Sequence, residues 1–205
     1  MQILSFILKG LIAVLATPIA IAMTMSLYRG IKTVGELSGN MPFFLAGVVA
    51  YIVIHVLFYK PTAAYVFGHE AIHAIASWLC GGKLSGFKVS KEGGSVTTDK
   101  TNTLVELAPY FVPLYAIIVM ALYYVVAQSY KINGSIFIFL IGFTLAFHVI
   151  TTIEVMKTAQ PDFVKSGYFF SIVIVYLMNI MVIAGIFSAL FSSFSLQKLV
   201  TDTCI

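Results

Sequence analysis

Residues 67–82 read FGHEAIHAIASWLCGG. Two of the chain's four histidines, His69 and His73, lie in this otherwise apolar stretch with Glu70 beside the first. On a helix, positions four apart are separated by about 40° around the axis and by one turn along it, so both imidazoles can reach one cation. The pattern His69-Glu70-Ala71-Ile72-His73 is H-E-x-x-H. Glu70 lies one position on and is placed to take a proton from a water polarised by zinc, the general-base role of this motif. With four His and five Glu in 205 residues, chance arrangement produces the pattern about 0.002 times per chain, which makes coincidence a weak explanation. A carboxylate and two imidazoles are costly in an apolar segment without partners, and they default to a functional reading there. The plainer alternative is a polar cluster that glues helices together.

The composition states what surrounds this segment. Sixty per cent of residues are hydrophobic and 10% are charged, against about one quarter charged in soluble domains. Five apolar stretches, at 3–28, 43–59, 104–128, 135–156 and 167–195, approach or exceed the ~20 residues that cross ~30 Å of hydrocarbon. The histidine segment, 62–79, is a sixth. It follows Lys60-Pro61, suited to a first helical turn, and stops at Gly81-Gly82. The run 11–28 is expected to be a retained membrane segment, not a removed signal peptide. Residues 83–102, KLSGFKVSKEGGSVTTDKTN, are polar, with β-branched residues around Gly93-Gly94, and predict a β-hairpin. The expected fold is therefore an all-α polytopic membrane protein of about six transmembrane helices, with a small β-hairpin after the H-E-x-x-H helix. Its parts are two N-terminal helices (1–61), a core (62–175) and a remainder with a short tail (176–205).

Net charge is +4 and comes from dispersed lysines rather than a basic block, so nucleic acid is not an expected partner. Cys80 and Cys204 are far apart and sit in no metal spacing. With six crossings, loops 29–42, 80–103 and 157–166 share a face carrying Arg29, Lys32, Lys83, Lys88, Lys91, Lys100, Lys157 and Lys165. The other face carries Lys9, Lys60, Lys131 and Lys198. The positive-inside rule then places the hairpin in the cytoplasm and both termini outside.

Catalytic zinc takes a third protein ligand and keeps an open position. The acids and histidines that can supply it are Asp162, His148 and Glu154. Asp162 is favoured because Pro161 before it starts a helix-entry turn; its plainer role is an N-cap. His148 is expected to orient a ligand or meet a substrate carbonyl. Glu154 is expected to do the same or to be an end-of-helix charge. His55 reads as a satisfied core histidine, Glu106 as an acid suited to a helix start, and Cys80 as structural.

At these residues the chain resembles the site-2 protease family of intramembrane zinc metalloproteases, and more closely a small bacterial branch that is little more than the catalytic core. The resemblance covers about 62–175. It rests on HEAIH at 69–73, Gly81-Gly82, the GGSV of 93–96, and Leu107-Ala108-Pro109, where the family commonly has Ala-Gly-Pro. It implies that His69, His73 and an Asp at the start of a later helix hold Zn2+. That Asp usually stands in Leu-Asp-Gly, and here Pro161-Asp162-Phe163 takes its place. It also implies that the hairpin presents the substrate as an added strand, extending a helical segment so that water can attack it. The expected activity is hydrolysis of peptide bonds within or near the membrane. The substrate would be a membrane-embedded protein or peptide, and the setting a bacterial cytoplasmic membrane with the site towards the cytoplasm. The rival readings are a non-hydrolytic metal transporter or sensor, and an inactive helix-binding scaffold.

Overall fold

The computed structural model describes residues 2–203 apart from 59, 91–92 and 159; Lys91 and Cys204 fall outside the described residues. Nine α-helices and one two-stranded antiparallel sheet are found among them. The chain divides into two compact units, residues 1–41 with 159–205, and residues 42–158.

The first unit is built on α1 (Gln2–Leu37) and α8 (Tyr168–Leu190). At 36 residues, α1 is about 54 Å long, well beyond ~30 Å of hydrocarbon. The expected loop from residue 29 is therefore corrected: Arg29 and Lys32 belong to α1. Nothing in RGIKTVGEL stops a helix, and the break comes at Ser38-Gly39-Asn40. Ala13, Ala16, Ala20, Met23 and Leu27 are buried at alternating spacings of three and four, a helical stripe whose small members allow close approach. Ala13 and Ala16 pack with Val173, Phe170 and Leu177. Thr24 Oγ1 and Tyr176 OH are 2.7 Å apart, and Gly30 lies against the ring of Phe194. Contacts rise together along both segments, so α1 and α8 run parallel.

A short helix, α7 (Pro161–Ser166), precedes α8. Pro161 occupies its first turn, where a missing N–H costs nothing. Gly167 (φ 95°) turns the chain into α8, a conformation that favours glycine. The helix expected over 167–195 ends at Leu190, and the short tail carries α9 (Leu196–Thr203). Ser195 Oγ accepts from Lys198 N at its start (3.2 Å).

In the second unit, α2 (Met41–Leu57) and α6 (Gly134–Met156) cross at glycines. A Cβ on Gly47 would strike the Phe139 carbonyl, and one on Gly142 the Phe44 carbonyl. Beyond the crossing, Tyr51 packs edge-on to Phe143 and Phe147, and His55 meets Glu154, so these helices are also parallel. α5 (Leu114–Ser129) returns beside α6. The crossing expected over 104–128 is not one continuous helix. It splits into α4 (Thr103–Leu107), a 3-10 turn at Ala108–Tyr110, and α5, with a 74° bend. Pro109 and Pro113 supply no N–H at the break, so one continuous helical ladder cannot form.

α3 (Thr62–Leu79) carries the two histidines and is bent by 119° from α2. It stops as expected at Gly81 (φ 77°), with Gly82 N donating to Ser77 O (2.8 Å), a glycine-terminated helix end. β1 (Leu84–Val89) and β2 (Gly94–Thr98) form the expected hairpin, with Val89 opposite Gly94, Phe87 opposite Val96 and an irregularity between Leu84 and Gly86. Both strands pack on α3. The contact is fixed by a hydrogen bond between Ser77 and Thr98 hydroxyls, and by Ser77 Oγ donating to Lys100 O (3.2 Å).

By length and composition, three helices are fit to cross a membrane: α1 over Leu4–Leu37, α6 and α8. The number rises to five if the α2–α3 pair and the pair formed by Thr103–Tyr110 with α5 each make one span. Among the described residues this count does not confirm the expected six crossings.

Candidate metal centre

His69, Glu70 and His73 occupy the middle of α3. The helix brings the two imidazoles together as the spacing requires: their Nε2 atoms are 3.1 Å apart, and the rings stand edge-on at 80°. Each ring is held from its other nitrogen. His73 Nδ1 lies 2.8 Å from the Val105 carbonyl oxygen. A carbonyl only accepts, so Nδ1 donates here, and Nε2 is the nitrogen that faces His69. His69 Nδ1 lies 3.2 Å from Tyr65 OH, one turn earlier on α3, and the His69 ring also meets the fully buried Tyr110 edge-on. Such outer partners set the tautomer and aim of metal-binding histidines.

The Val105 carbonyl owes its position to a local cap. Asn102 Oδ1 accepts from Val105 N (2.9 Å), an N-cap on α4, and Asn102 Nδ2 reaches Cys80 Sγ (3.4 Å). Cys80 thereby takes the structural part expected of it. Tyr115 donates to Ala64 O (2.7 Å) and covers Gly68, which seats α5 on the histidine helix.

Glu70 is buried. The hairpin closes over it: a Cβ built on Gly94 would lie 2.9 Å from the Glu70 carboxyl carbon. Glycine is therefore a packing requirement at the first residue of β2, where backbone approaches an acid side chain.

His148 is buried on α6 and shares a small cavity with His69, Tyr65, Gly68, Pro109 and Thr151. Its volume, about 20 Å³, suffices for roughly one water molecule. Glu154, one and a half turns on, is engaged elsewhere: its Oε1 accepts from Lys60 Nζ (2.6 Å) and meets His55 Nε2 (3.2 Å). His55 Nδ1 in turn lies 2.9 Å from Tyr51 OH. His55 is thus a satisfied core histidine, and Glu154 is tied to residues outside the histidine pair. In the other unit, Asp162 is the second residue of α7, whose N-cap is Gln160; a capping role does not account for it.

Sequence reasoning missed Tyr65 and the Val105 carbonyl, and it read Gly94 as a turn residue without its contact to Glu70. Tyr65 carried a signal, since it precedes His69 by the same four positions that separate the histidines. The Val105 carbonyl carried none, because any residue offers one.

No known family model, curated protein or solved structure matches this chain.

Proposed function

We propose that this chain is an integral-membrane zinc metallopeptidase of the site-2 protease type, cutting peptide bonds within or near the bilayer. His69, His73 and Asp162 hold the metal. The observation that carries the reading is the 3.1 Å approach of the two Nε2 atoms, with His73 Nδ1 committed to a carbonyl. Two ring nitrogens this close can share one cation, since a tetrahedral zinc bound at about 2.0–2.1 Å to each would hold them roughly 3.3 Å apart. Asp162 is the carboxylate that the resemblance to the site-2 protease family implies as third ligand, which completes a His₂-carboxylate set of the kind that suits zinc. When bound, zinc supplies Lewis acidity, which polarises a scissile carbonyl and makes water acidic near neutral pH.

The chain's own residues do the rest. Glu70 takes the proton of the attacking water and returns it to the leaving amine nitrogen. Burial against Gly94 fixes its carboxylate in one place. His148 donates to the developing oxyanion. The free edge of the hairpin takes the substrate as an added strand, so that its backbone bonds leave the helix before attack. Thr151, on the wall of the small cavity, keeps a water beside His69 and His148.

The same proposal fixes a topology. α1 and α8 run parallel, so if both cross the bilayer the chain between them crosses an odd number of times. Counting each bent pair as one span gives three crossings between them and five in all, rather than the six expected from sequence. The N-terminus, the hairpin and residues 157–165 then share a face with Lys9, Lys83, Lys88, Lys100, Lys157 and Lys165, while Lys60 falls at the break within the α2–α3 span. Arg29, Lys32, Lys131 and Lys198 lie opposite. Positive charge still places the hairpin in the cytoplasm, now with the N-terminus, in a bacterial cytoplasmic membrane. The substrate is a membrane-embedded protein or peptide.

The test combines metal analysis of purified protein with cleavage of a transmembrane reporter in vesicles. The parent is expected to hold one zinc per chain. Glu70→Gln keeps zinc and loses cleavage by about 10²-fold or more, whereas Asp162→Ala loses zinc. A parent without zinc sinks the reading. Zinc retained in Asp162→Ala and lost in His148→Ala moves the third ligand to His148.

A further inference from the structure

A second polar site lies in the first unit, where α1 and α9 come together beyond the end of α8. It is a cavity of about 110 Å³ whose polar lining includes Arg29, Thr33, Ser193, Ser195, Lys198 and Asp202. Two cations and one acid line it, so its balance is positive. Neither Arg29, Lys198 nor Asp202 takes part in a salt bridge among the described residues. The Ser193 hydroxyl oxygen is buried and has no hydrogen-bond partner, whereas Ser26 donates to Leu199 O and Thr33 to Arg29 O. A buried hydroxyl without a partner among the described residues is uncommon, and it can donate to a bound acceptor. Gly30 is also needed here: a Cβ on it would lie 2.6 Å from the Phe194 ring that forms the cavity wall.

The chain places this cavity at a boundary. The apolar run of α1 ends at Tyr28, one residue before Arg29. α8 ends at Leu190, three residues before Ser193. Two parallel helices thus leave their apolar stretches at the same level and present arginine, lysine and hydroxyls there. In a membrane that level is the headgroup layer, where phosphates lie and basic side chains anchor.

We propose that this cavity binds a phosphate group, held by Arg29 and Lys198 and accepting the Ser193 hydroxyl, and that an anionic phospholipid headgroup supplies it. The cavity has room for a phosphate but not for a whole lipid, so the acyl chains lie outside it along α1 and α8. Asp202 faces the site as well and limits its charge, which favours a singly charged phosphodiester over a dianion. The inference rests on the membrane reading of α1 and α8 and not on peptidase activity. The two can therefore fail separately.

The experiment uses the full chain, delipidated in a neutral detergent. Its thermal stability is measured against added phosphatidylglycerol, phosphatidylcholine or inorganic phosphate. Phosphatidylglycerol is expected to raise the melting temperature saturably and salt-sensitively. Arg29→Gln/Lys198→Gln should weaken the midpoint by about tenfold or more, given two charge-assisted contacts. The milder Ser193→Ala should weaken it a few-fold, and Lys32→Gln, outside the cavity, should leave it unchanged. A saturable effect of inorganic phosphate alone, lost in the double variant, supports the pocket and makes the free ion its occupant. Equal responses to both phospholipids in parent and double variant, or no saturable response to any probe, overturn the proposal. Ser193→Ala and circular dichroism separate lost binding from lost folding.

Discussion

Nδ1 of His73 lies 2.8 Å from the backbone carbonyl oxygen of Val105. This bond joins the histidine face of α3 to the start of α4, 32 residues away. It decides which nitrogen of His73 faces His69, and under the proposed function it links a helix cap to metal affinity.

Asn102→Ala removes the side chain that accepts from Val105 N. An N-cap of this kind is worth about 1 kcal/mol, so the fold survives. The Val105 carbonyl loses its fixed aim, and zinc affinity is expected to fall by about 10–100-fold, as for other outer-partner losses. Chelator competition measures it. Asn102→Asp, which keeps the acceptor, should restore most of the affinity; an unchanged zinc affinity in Asn102→Ala would remove the His73–Val105 bond from the account.

Gly94→Ala places a methyl group 2.9 Å from the Glu70 carboxyl carbon. Either the carboxylate or the hairpin must move. Cleavage is expected to drop by about 10²-fold, since a misplacement of roughly 1 Å has that effect on a reacting group, while zinc stays bound. Gly86→Ala, whose Cβ would meet only the Thr97 side chain at 3.3 Å, is the comparison and should retain activity. Reporter cleavage and metal content, read together, check both.

Gly142→Val drives side-chain carbons into the Phe44 carbonyl across the α2–α6 crossing. Backbone cannot yield as a side-chain tip can, so the expected loss reaches or exceeds the ~1–3 kcal/mol of ordinary overpacking. Gly185→Val, with open space around its Cβ position, should cost much less. Unfolding in mixed detergent gives the two values, and similar losses would exclude close crossing as the cause.

The cluster at the α2–α3 bend separates an exposed bond from a buried one. Lys60 is 63% exposed on its side chain, so Lys60→Met is expected to change stability by less than about 1 kcal/mol despite its 2.6 Å bond to Glu154. His55→Leu leaves the buried Tyr51 hydroxyl without that partner, at an expected cost of about 1–3 kcal/mol. A larger loss for Lys60→Met than for His55→Leu would reverse this ranking.

The local features of this protein were legible in its residues. HEAIH at 69–73, the stop at Gly81-Gly82, the turn at Gly93-Gly94 and the proline start at Pro161 each depend on neighbours a few positions apart, where backbone geometry alone dictates the outcome. The lengths of elements were less legible. α1 ran on through Arg29 and Lys32 because charge does not end a helix, and the 104–128 stretch broke because Pro109 and Pro113 interrupt hydrogen bonding without interrupting hydropathy.

Tertiary structure alone decided which backbone group would hold His73, which glycine would admit Glu70, and that α1 and α8 run in the same direction. A carbonyl is common to every residue, a glycine's vacancy has meaning only against what fills it, and helix direction leaves no trace in composition. The sequence by itself determined that two imidazoles meet on one face of α3, because a spacing of four repeats with the helical turn. Packing determined how those rings are held, because the groups that hold them meet only once the chain has folded.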